Sequence, residues 1–418
     1  MRKLRRHLTT WQLLAASMLV AACTPANNET PGTDVVRPGI EVVLEADGGP
    51  LRNQRVGLIT NHTGQDREGR SSIDLLHDHP EVTMVALFAP EHGIRGTAGP
   101  GERIASQQDP QTGLPIHSLY GQTRRPTAEM LADVDVLVFD IQDIGTRYYT
   151  YVWTMALSMQ SAAEHGLPFV VLDRPNPIGG ELVQGRMLDP DYATFVGLYP
   201  VPMRHGLTAG ELAMYVNEVH HIQADLQVVR AEGWKRHMWF DDTHLPWIPP
   251  SPNMPSLESA THYPGTCLFE GTNLSVGRGT PEAFSQIGAP WLDHLALQRS
   301  LEEYEIPGVR FDAVVFKPED PGDGKFHGQS VNGIRFSTTD RMTYDPTYAA
   351  VAALLEIRRL HPDQLRWHES HFDRLAGSSQ LRRQVEAGEP LQAITSGWHH
   401  DTEEFRRVRS EYLLYDGR

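Results

Sequence analysis

Phe88-Ala-Pro-Glu91-His92-Gly93-Ile-Arg-Gly96 directly follows an apolar run, residues 82–88, that is typical of a buried β-strand. The strand ends in a carboxylate, an imidazole and two glycines. In an open α/β sheet, ligands bind beyond the carboxyl ends of the parallel strands. The segment therefore predicts a functional Glu-His pair at such an edge, with a surface turn that carries a solvated Glu91 as the alternative.

Three further apolar runs resemble this strand. Residues 55–60, 135–140 and 168–173 are each short and continuously apolar, as strands buried on both faces are. Helical periodicity lies between them at residues 71–77, 126–132 and 149–165, with Gly166 as the expected C-cap of the last helix. This alternation predicts an α/β fold with a parallel, Rossmann-like sheet.

Polar side chains follow all four predicted strands. Because the ends of parallel strands share one edge, we expect these side chains to converge on a binding site there. Each has a structural alternative, since Asp140 or Asp173 could cap the next helix and Asn176 could serve a turn. Besides Glu91 and His92, the candidates are Asn61, Asp140, Asp143, Arg147, Tyr148, Asp173 and Asn176.

Several common site signatures are absent from the sequence. No GxGxxG follows the first strand, and there is no Walker A sequence, so a nucleotide is not indicated. Neither HExxH nor a Cys/His spacing suited to zinc occurs, and the Gly-x-Ser-x-Gly elbow of serine hydrolases is missing. We therefore expect no cofactor and no metal.

The middle of the chain predicts a crossing between two domains. Residues 245–255 are too rich in proline for a helix. The following segment, residues 269–280, places Glu270 and Arg278 among glycines and small hydroxyl residues, as loops around polar ligands do. Beyond it, helices are predicted at 292–304, 347–360 and 402–414, and strands at 309–316 and 331–337. We expect a Rossmann-like domain over 40–255 and a smaller α/β domain over 256–418.

The N-terminus resembles a bacterial lipoprotein leader. Four basic residues precede a short apolar run and Val20-Ala-Ala-Cys23, which resembles a lipobox. This predicts a signal peptide over 1–22, lipidation of Cys23, attachment to the membrane through that lipid, and a flexible tether over 23–39. Thr24, rather than Asp, suggests the periplasmic face of the outer membrane. An ordinary secretory signal cut near Ala22 is the alternative.

Charge and cysteine content exclude other classes. The formal charge is −16, and a mature chain without its basic leader would be more acidic still. Because no basic tract survives, nucleic acid is not expected as a partner. Cys267 is the only other cysteine, so an intrachain disulfide is impossible once Cys23 is lipidated, and stability must come from a large core.

Five motifs occur in order: Ala89-Pro-Glu91-His92-Gly93, Asp140-Ile-Gln-Asp143-Ile-Gly-Thr-Arg147-Tyr148, Leu172-Asp-Arg-Pro-Asn-Pro177, Pro252-Asn253-Met-Pro255 and Glu270-Gly-Thr-Asn273. Together they resemble the exo-β-N-acetylmuramidase family over most of the predicted mature chain. The resemblance implies two domains with an active site in the cleft between them. It also implies release of N-acetylmuramic acid from the non-reducing ends of peptidoglycan fragments, so that disaccharides or glycan ends are the partners.

Glycosidase chemistry then suggests roles for these residues. Such cleavage usually needs an acid at the leaving oxygen and a second carboxylate. We expect Glu91 to be the general acid, with His92 beside it, and Glu270 to be the second carboxylate. Inverting, retaining and substrate-assisted routes all stay open. The lactyl carboxylate needs a cation, for which Arg147 and Arg278 are candidates. The other expected substrate-binding residues are Asn61, Asp140, Asp143, Tyr148, Asp173, Asn176, Asn253 and Asn273.

Two other functional classes are compatible with these motifs. A lipid-tethered periplasmic protein could bind sugars or muropeptides without turnover, but it would have no need of a proton-donating Glu91. A metal-dependent amidase or esterase could act through His62, His92 and Asp143, and loss of activity with a chelator would identify it.

Overall fold

The computed structural model describes residues 35–95 and 107–417. The predicted leader, Cys23 and most of the predicted tether lie outside these residues. The last five tether residues do not behave as a tether, because Val36 is fully buried and Gly39 begins the first helix. The backbone N–H of Gly39 also donates to the carbonyl of Asp173, at 2.8 Å. The predicted tether over 23–39 is therefore too long at its C-terminal end.

Helices and strands alternate through the first half, and helices predominate in the second. Among the described residues the strands are β1 Arg55–Thr60, β2 Thr83–Ala89, β3 Gln107–Gln108, β4 Pro115–Ser118, β5 Val136–Asp140, β6 Phe169–Leu172, β7 Gln184–Met187, β8 Pro202–Arg204, β9 Leu226–Val229, β10 Gln286–Ala289, β11 Val309–Phe316 and β12 Val331–Thr338. The helices are α1 Gly39–Glu45, α2 Ser72–His77, α3 Tyr151–His165, α4 Ala209–Val219, α5 Leu257–Thr266, α6 His294–Glu302, α7 Pro346–Leu360, α8 Glu369–Ala376, α9 Gln380–Ala387, α10 Leu391–Ser396 and α11 Trp398–Arg409.

The main sheet has seven strands in the order β3-β4-β2-β1-β5-β6-β9. All neighbouring pairs from β4 to β9 are parallel, and only the short edge strand β3 is antiparallel. Apart from β3, this is the doubly wound order in which the first strand lies at the centre. The predicted α/β class and Rossmann-like parallel sheet are confirmed.

Helices cover both faces of this sheet. Side chains of α1 and α2 pack against one face, where Ile40, Ile73 and Leu87 belong to one buried cluster. On the other face, α3 and α4 pack against residues such as Phe88 and Phe139. Burial on both faces explains why these strands are continuously apolar in sequence.

One predicted helix is wrong. Residues 126–132 form a series of turns, in which Leu131 N–H donates to Thr127 and Ala132 N–H to Glu129. Such a short segment has little helical stability of its own, because helix nucleation is costly. It must also turn into β5 at Val136. By contrast, α3 ends at Gly166, whose φ of 66° fits the predicted C-cap.

The second half adds a three-stranded antiparallel sheet, in the order β10-β12-β11, and most of the helices. Its α5 and α7 pack very closely: a Cβ at Gly265 would lie 1.9 Å from the carbonyl oxygen of Pro346, so only glycine fits there. The hydrophobic core continues across the predicted boundary at residue 255, since Met254, Tyr263 and Phe336 belong to the same buried cluster as α3. The final helix runs over Trp398–Arg409, earlier than the predicted 402–414.

The Pro-rich crossing lies over the carboxyl edge of the main sheet. It forms neither helix nor strand between Leu245 and Pro255, as predicted. The carbonyl of Pro249 is 2.8 Å from His62 Nε2, and the carbonyl of Pro250 accepts a 2.5 Å hydrogen bond from Tyr151. This segment therefore ties the loop after β1 to the start of α3 before the chain enters α5. No helix of the described residues is long and apolar enough to cross a membrane.

Candidate active site

A cavity of about 310 Å³ lies beyond the carboxyl end of β2. The segments that follow β2, β4 and β5 form one side of it. Helix α5, the 3₁₀ turn Cys267–Gly271 and α8 form the other side. The titratable residues that line it include Glu91, His92, Tyr120, Glu270, Arg278 and His371. The two halves of the chain thus contribute carboxylates to one cavity.

A tight turn directs Glu91 and His92 into this cavity. His92 has φ of 67° and Gly93 has φ of 74°, so two consecutive residues adopt the left-handed conformation. That conformation is costly for a non-glycine residue such as His92, typically on the order of 1 kcal/mol or more. The N–H of Gly93 closes the turn on the carbonyl of Pro90, at 3.0 Å. Strain of this kind is common where a side chain must be aimed at a ligand.

Neighbouring strand ends hold the carboxylate of Glu91. Thr150, immediately before α3, donates a 2.6 Å hydrogen bond from its hydroxyl to Glu91 Oε2. Tyr120, two residues beyond β4, lines the cavity beside the Glu91 carboxylate. Burial and the nearby charge of Glu91 raise the pKa of Tyr120 to about 12. The Tyr120 hydroxyl therefore keeps its proton at neutral pH.

Glu270 faces the same cavity from the second half and is paired with Arg278. Glu270 Oε1 lies 2.7 Å from Arg278 Nε and 2.5 Å from a terminal guanidinium nitrogen. Both side chains are largely shielded from solvent. Below them, Lys325 donates to the backbone carbonyls of Glu270, Thr272 and Leu274, at 3.3, 2.8 and 3.0 Å. Lys325 therefore fixes the backbone that carries Glu270.

Aromatic rings form one wall of the cavity. Tyr149 packs edge-to-face against Tyr151 and Tyr263, with ring centroids 5.1 and 6.0 Å apart. Phe284 continues this wall, 4.6 Å from Tyr263. The Tyr148 hydroxyl donates to the carbonyl of Pro264 at 2.9 Å, so it fixes α5 rather than serving as a donor to ligand. Such a wall gives a sugar ring an apolar surface to pack against.

Five of the predicted site residues therefore line one cavity: Glu91, His92, Tyr148, Glu270 and Arg278. The others do not line it, and for all of them except Asn253 a contact with another part of the chain gives the reason.

Asp140 and Asp173 both take part in buried hydrogen-bond networks. Only Asp173 accepts from the first turn of a helix, α4, as the helix-cap alternative proposed. Both Asp140 oxygens accept from Arg174, at 2.6 and 2.9 Å, and Ser72 also donates to Asp140. Asp173 accepts from Gly210 N–H in the first turn of α4, from Thr208 and from the Tyr415 hydroxyl. These carboxylates fill the edge where a dinucleotide would bind in a doubly wound fold. Their prediction as substrate ligands is not supported.

Asn176 and Arg147 also turn inward. Asn176 bonds the carbonyl of Leu207 and the N–H of Ile178. Arg147 is completely buried, and its guanidinium donates to three backbone carbonyls at 2.8–3.0 Å, including that of Leu375 in α8. Burial lowers the pKa of Arg147 to about 10. Arg147 thus joins the two halves of the protein, and the prediction that it binds a lactyl carboxylate is not supported.

Asn61 and Asp143 lie behind the tyrosine wall. Asn61 Oδ1 accepts from the N–H and the hydroxyl of Thr63. Asp143 is buried, and its Oδ2 accepts from Gly145 N–H at 2.7 Å. Burial raises the pKa of Asp143 to about 7, although the hydrogen bonds of its backbone neighbours oppose that shift. Both residues support the cavity from outside and do not line it.

Asn253 and Asn273 are likewise not part of the cavity lining. Asn273 bonds the carbonyl of Gln364 and the N–H of Arg366, both at 2.9 Å, and so attaches the glycine-rich segment to the chain before α8. Asn253 lies between Ser251 and Met254, which do line the cavity. Their predicted contact with substrate is not supported.

The sequence did not reveal several lining residues. Tyr120 follows β4, whose Pro-Ile-His-Ser sequence lacks the apolar run of the other strands, although β4 pairs in parallel with β2. Recognition of that strand would have placed Tyr120 beside Glu91. Arg124 and Phe195 lie on loops, and His371 and Arg374 lie one turn apart on α8. We find no sequence signal that would have identified these four.

The residues proposed for a metal-dependent hydrolase do not assemble into a metal site. Among the described residues, no group of three or more His, Cys, Asp or Glu side chains is placed to hold a metal ion. His62 bonds the Pro-rich crossing, and Asp143 lies behind Tyr149. Proton transfer by carboxylates is the chemistry that this side-chain set offers most directly.

Comparison with known proteins identifies matching families over nearly the whole described chain. The family models "Exo-beta-N-acetylmuramidase NamZ, N-terminal" and "Exo-beta-N-acetylmuramidase NamZ, C-terminal" match residues 56–258 and 261–415. The chain is 42% identical over 417 residues to the peptidoglycan beta-N-acetylmuramidase NamZ of Bacillus subtilis (strain 168). This match covers 99% of this chain and 100% of that protein.

Two solved structures of DUF1343 family proteins from Bacteroides fragilis NCTC 9343 are also similar. One has a TM-score of 0.86 and 37% identity, and the match covers 91% of this chain and 99% of that one. The other has a TM-score of 0.74 and 31% identity, covering 92% and 99%. These matches extend across both halves of the chain.

Proposed function

This chain belongs to the exo-β-N-acetylmuramidase NamZ family, and we propose on that premise that it is an exo-acting glycosidase of peptidoglycan turnover or recycling. Its substrate is the non-reducing end of a peptidoglycan fragment, and its product is free N-acetylmuramic acid. The position of Glu91 is the observation that supports this cavity as the active site. Its carboxylate follows a parallel strand, accepts a hydrogen bond from Thr150 and lies beside Tyr120, in a cavity that also contains Glu270.

Glu91 is the proposed general acid. Glycoside cleavage requires a proton on the leaving oxygen as the bond to the anomeric carbon breaks. The hydrogen bond from Thr150 fixes the carboxyl group, so little reorientation is needed when the substrate arrives. His92 lies beside Glu91 on the same strained turn and is proposed to contact the reacting end of the substrate.

Glu270 is the proposed second carboxylate. Its carboxyl group is paired with the guanidinium of Arg278. A carboxylate is the form needed to stabilise positive charge at the anomeric carbon, to activate a water molecule or to attack the sugar directly. Lys325 and the 3₁₀ turn Cys267–Gly271 hold its backbone, which supports precise placement across the cavity from Glu91.

The direct test is incubation of the protein with N-acetylmuramyl-N-acetylglucosamine. Free N-acetylmuramic acid and N-acetylglucosamine should appear in equal amounts. The reversed disaccharide, with N-acetylglucosamine at the non-reducing end, is the matched control and should remain intact. Absence of free N-acetylmuramic acid from the first disaccharide would contradict the function.

We further propose that the protein is a lipoprotein of the cell envelope, anchored through Cys23 and facing the periplasm from the outer membrane. The lipobox-like Val20-Ala-Ala-Cys23 and the residue Thr24 support this. Labelled fatty acid should enter the wild type and not Cys23→Ala, which should be soluble or unprocessed. No labelling of the wild type would exclude the anchor, without any bearing on glycosidase activity.

A further inference from the structure

The arginines around the cavity differ in whether another group of the protein already pairs with their guanidinium. Arg278 is neutralised by Glu270, and Arg147 lies outside the cavity with its donors on backbone carbonyls. Arg124 and Arg374 also line the cavity, are exposed to solvent, and form no ion pair with any described residue. Because the chain as a whole is strongly acidic, two unpaired guanidinium groups at one cavity indicate an anionic ligand.

Of these two arginines, Arg124 is the one that stacks on aromatic rings. Its guanidinium carbon lies 4.2 Å from the ring centroid of Phe195 and 5.7 Å from that of Tyr120. Stacking on aromatic rings uses the faces of the guanidinium plane and leaves its N–H edges for a ligand. A guanidinium held in this way loses less conformational freedom when it binds a carboxylate with two parallel hydrogen bonds. Among the described residues, Arg374 stacks on no aromatic ring.

Tyr120 connects this cation to the proposed reaction centre. Tyr120 and Glu91 line the same cavity, where the charge of Glu91 acts on the Tyr120 hydroxyl, and the Tyr120 ring packs against Arg124. A sugar whose glycosidic oxygen meets Glu91 therefore lies in the same cavity as Arg124. In N-acetylmuramic acid, the lactyl ether on C3 carries a carboxylate group. N-acetylglucosamine has only a hydroxyl group at C3.

We propose that Arg124 binds the lactyl carboxylate of N-acetylmuramic acid and is the residue that selects this sugar over N-acetylglucosamine. This inference rests on the proposed function and assigns its substrate specificity to one side chain. Arg124 acts in binding and takes no part in proton transfer. Its loss should therefore raise KM much more than it lowers kcat.

The test compares nitrophenyl N-acetyl-β-muramide with the same glycoside methylated on its lactyl carboxylate. For the wild type, methylation should lower kcat/KM about 10- to 100-fold, the scale of one charge-assisted hydrogen-bonded contact. Arg124→Gln should lose a similar factor on the free acid, mainly through KM, and should treat acid and ester nearly alike. Arg124→Lys keeps the charge but not the planar fork, and should recover only part of the loss.

Arg125→Gln is the matched control, because Arg125 is the next residue, carries the same charge and pairs with Glu164 away from the cavity. It should keep the wild-type ratio of acid to ester. The proposal is overturned if Arg124→Gln still prefers the acid as the wild type does, or if Arg374→Gln abolishes that preference instead. If the wild type hydrolyses neither glycoside and releases no N-acetylmuramic acid from the disaccharide, the proposed function itself fails.

Discussion

The hydroxyl of Thr150 donates a 2.6 Å hydrogen bond to Oε2 of Glu91, and this bond joins the end of β2 to the start of α3. The two residues are 59 positions apart in the chain. The contact arises because β1 alone separates β2 from β5 in the sheet, so that the segments after β2 and β5 lie close together. Glu91 is thus oriented by the fold itself.

Thr150→Val should remove this bond while it keeps the shape of the side chain. We expect kcat on the muramyl disaccharide to fall on the order of tenfold, with KM little changed, because orientation of the acid matters most in the transition state. Thr150→Ser retains the hydroxyl and should stay near the wild type. Equal losses in both variants would mean that packing, and not the hydrogen bond, is responsible.

The ion pair between Glu270 and Arg278 should be strongly coupled. In a double-mutant cycle of Glu270→Gln and Arg278→Met, we expect a coupling free energy of unfolding on the order of 1.5–3 kcal/mol, as for hydrogen bonds between charged groups. The exposed pair Arg310 and Asp312 is a suitable comparison, and its coupling should stay below about 1 kcal/mol. Additive effects for Glu270 and Arg278 would show that the pair is not a structural unit.

Lys325 should be needed for the placement of Glu270. Lys325→Met removes the donors to three backbone carbonyls and should lower both kcat, by at least about tenfold, and the melting temperature. Lys317→Met is the control from the same loop, because Lys317 is exposed and pairs only with Glu319. Wild-type kinetics for Lys325→Met would remove Lys325 from any positioning role.

Asp143 should make stability fall as pH rises. Burial raises its folded-state pKa to about 7 from an ordinary value of 3.8. The unfolded chain therefore releases this proton first, so the protein loses stability between about pH 4 and pH 7 and no further above that. Asp143→Asn should remove this pH-dependent loss of stability, because the amide does not titrate.

Relative to the wild type, the free energy of unfolding of Asp143→Asn should rise by up to about 4 kcal/mol between pH 4 and pH 8, at about 1.4 kcal/mol per pKa unit. Urea unfolding at several pH values measures it. A difference between variant and wild type that does not change with pH would refute the buried, protonated Asp143.

Much of the fold is predictable from hydrophobic runs alone. Strand β1 has the predicted bounds, β2 differs from the predicted residues 82–88 by one residue at each end, and α3 has the predicted C-cap Gly166. The prediction missed β4 because its four residues include a proline and a histidine, and its pairing with β2 provides what its composition lacks. The opposite error occurred at residues 126–132, where a helix was predicted from local propensity and turns are found. The segment is too short to be a stable helix and must lead directly into β5.

The site was only partly predictable, because similar carboxylates at strand ends differ in their surroundings. Glu91, Asp140 and Asp173 all follow buried strands, yet only Glu91 faces the cavity. Asp173 is engaged by Tyr415, which lies 242 residues away in sequence, and no local pattern foretells that contact. The same holds for Arg147, whose partners include a carbonyl in α8. Proximity to a strand end therefore indicates a location, while long-range partners decide the role.

Glu91→Gln tests the central claim, that Glu91 is the general acid, most directly. The amide keeps the shape of the side chain but cannot deliver a proton, so kcat on N-acetylmuramyl-N-acetylglucosamine should fall about 100-fold or more, with KM largely kept. A nitrophenyl muramide has a leaving group that needs little protonation, so the loss of kcat on this substrate should be much smaller. The measurement is the ratio of mutant to wild-type rate on these two substrates. A large loss on the disaccharide with a smaller one on the nitrophenyl glycoside is the predicted result, and near-wild-type rates on both would contradict it.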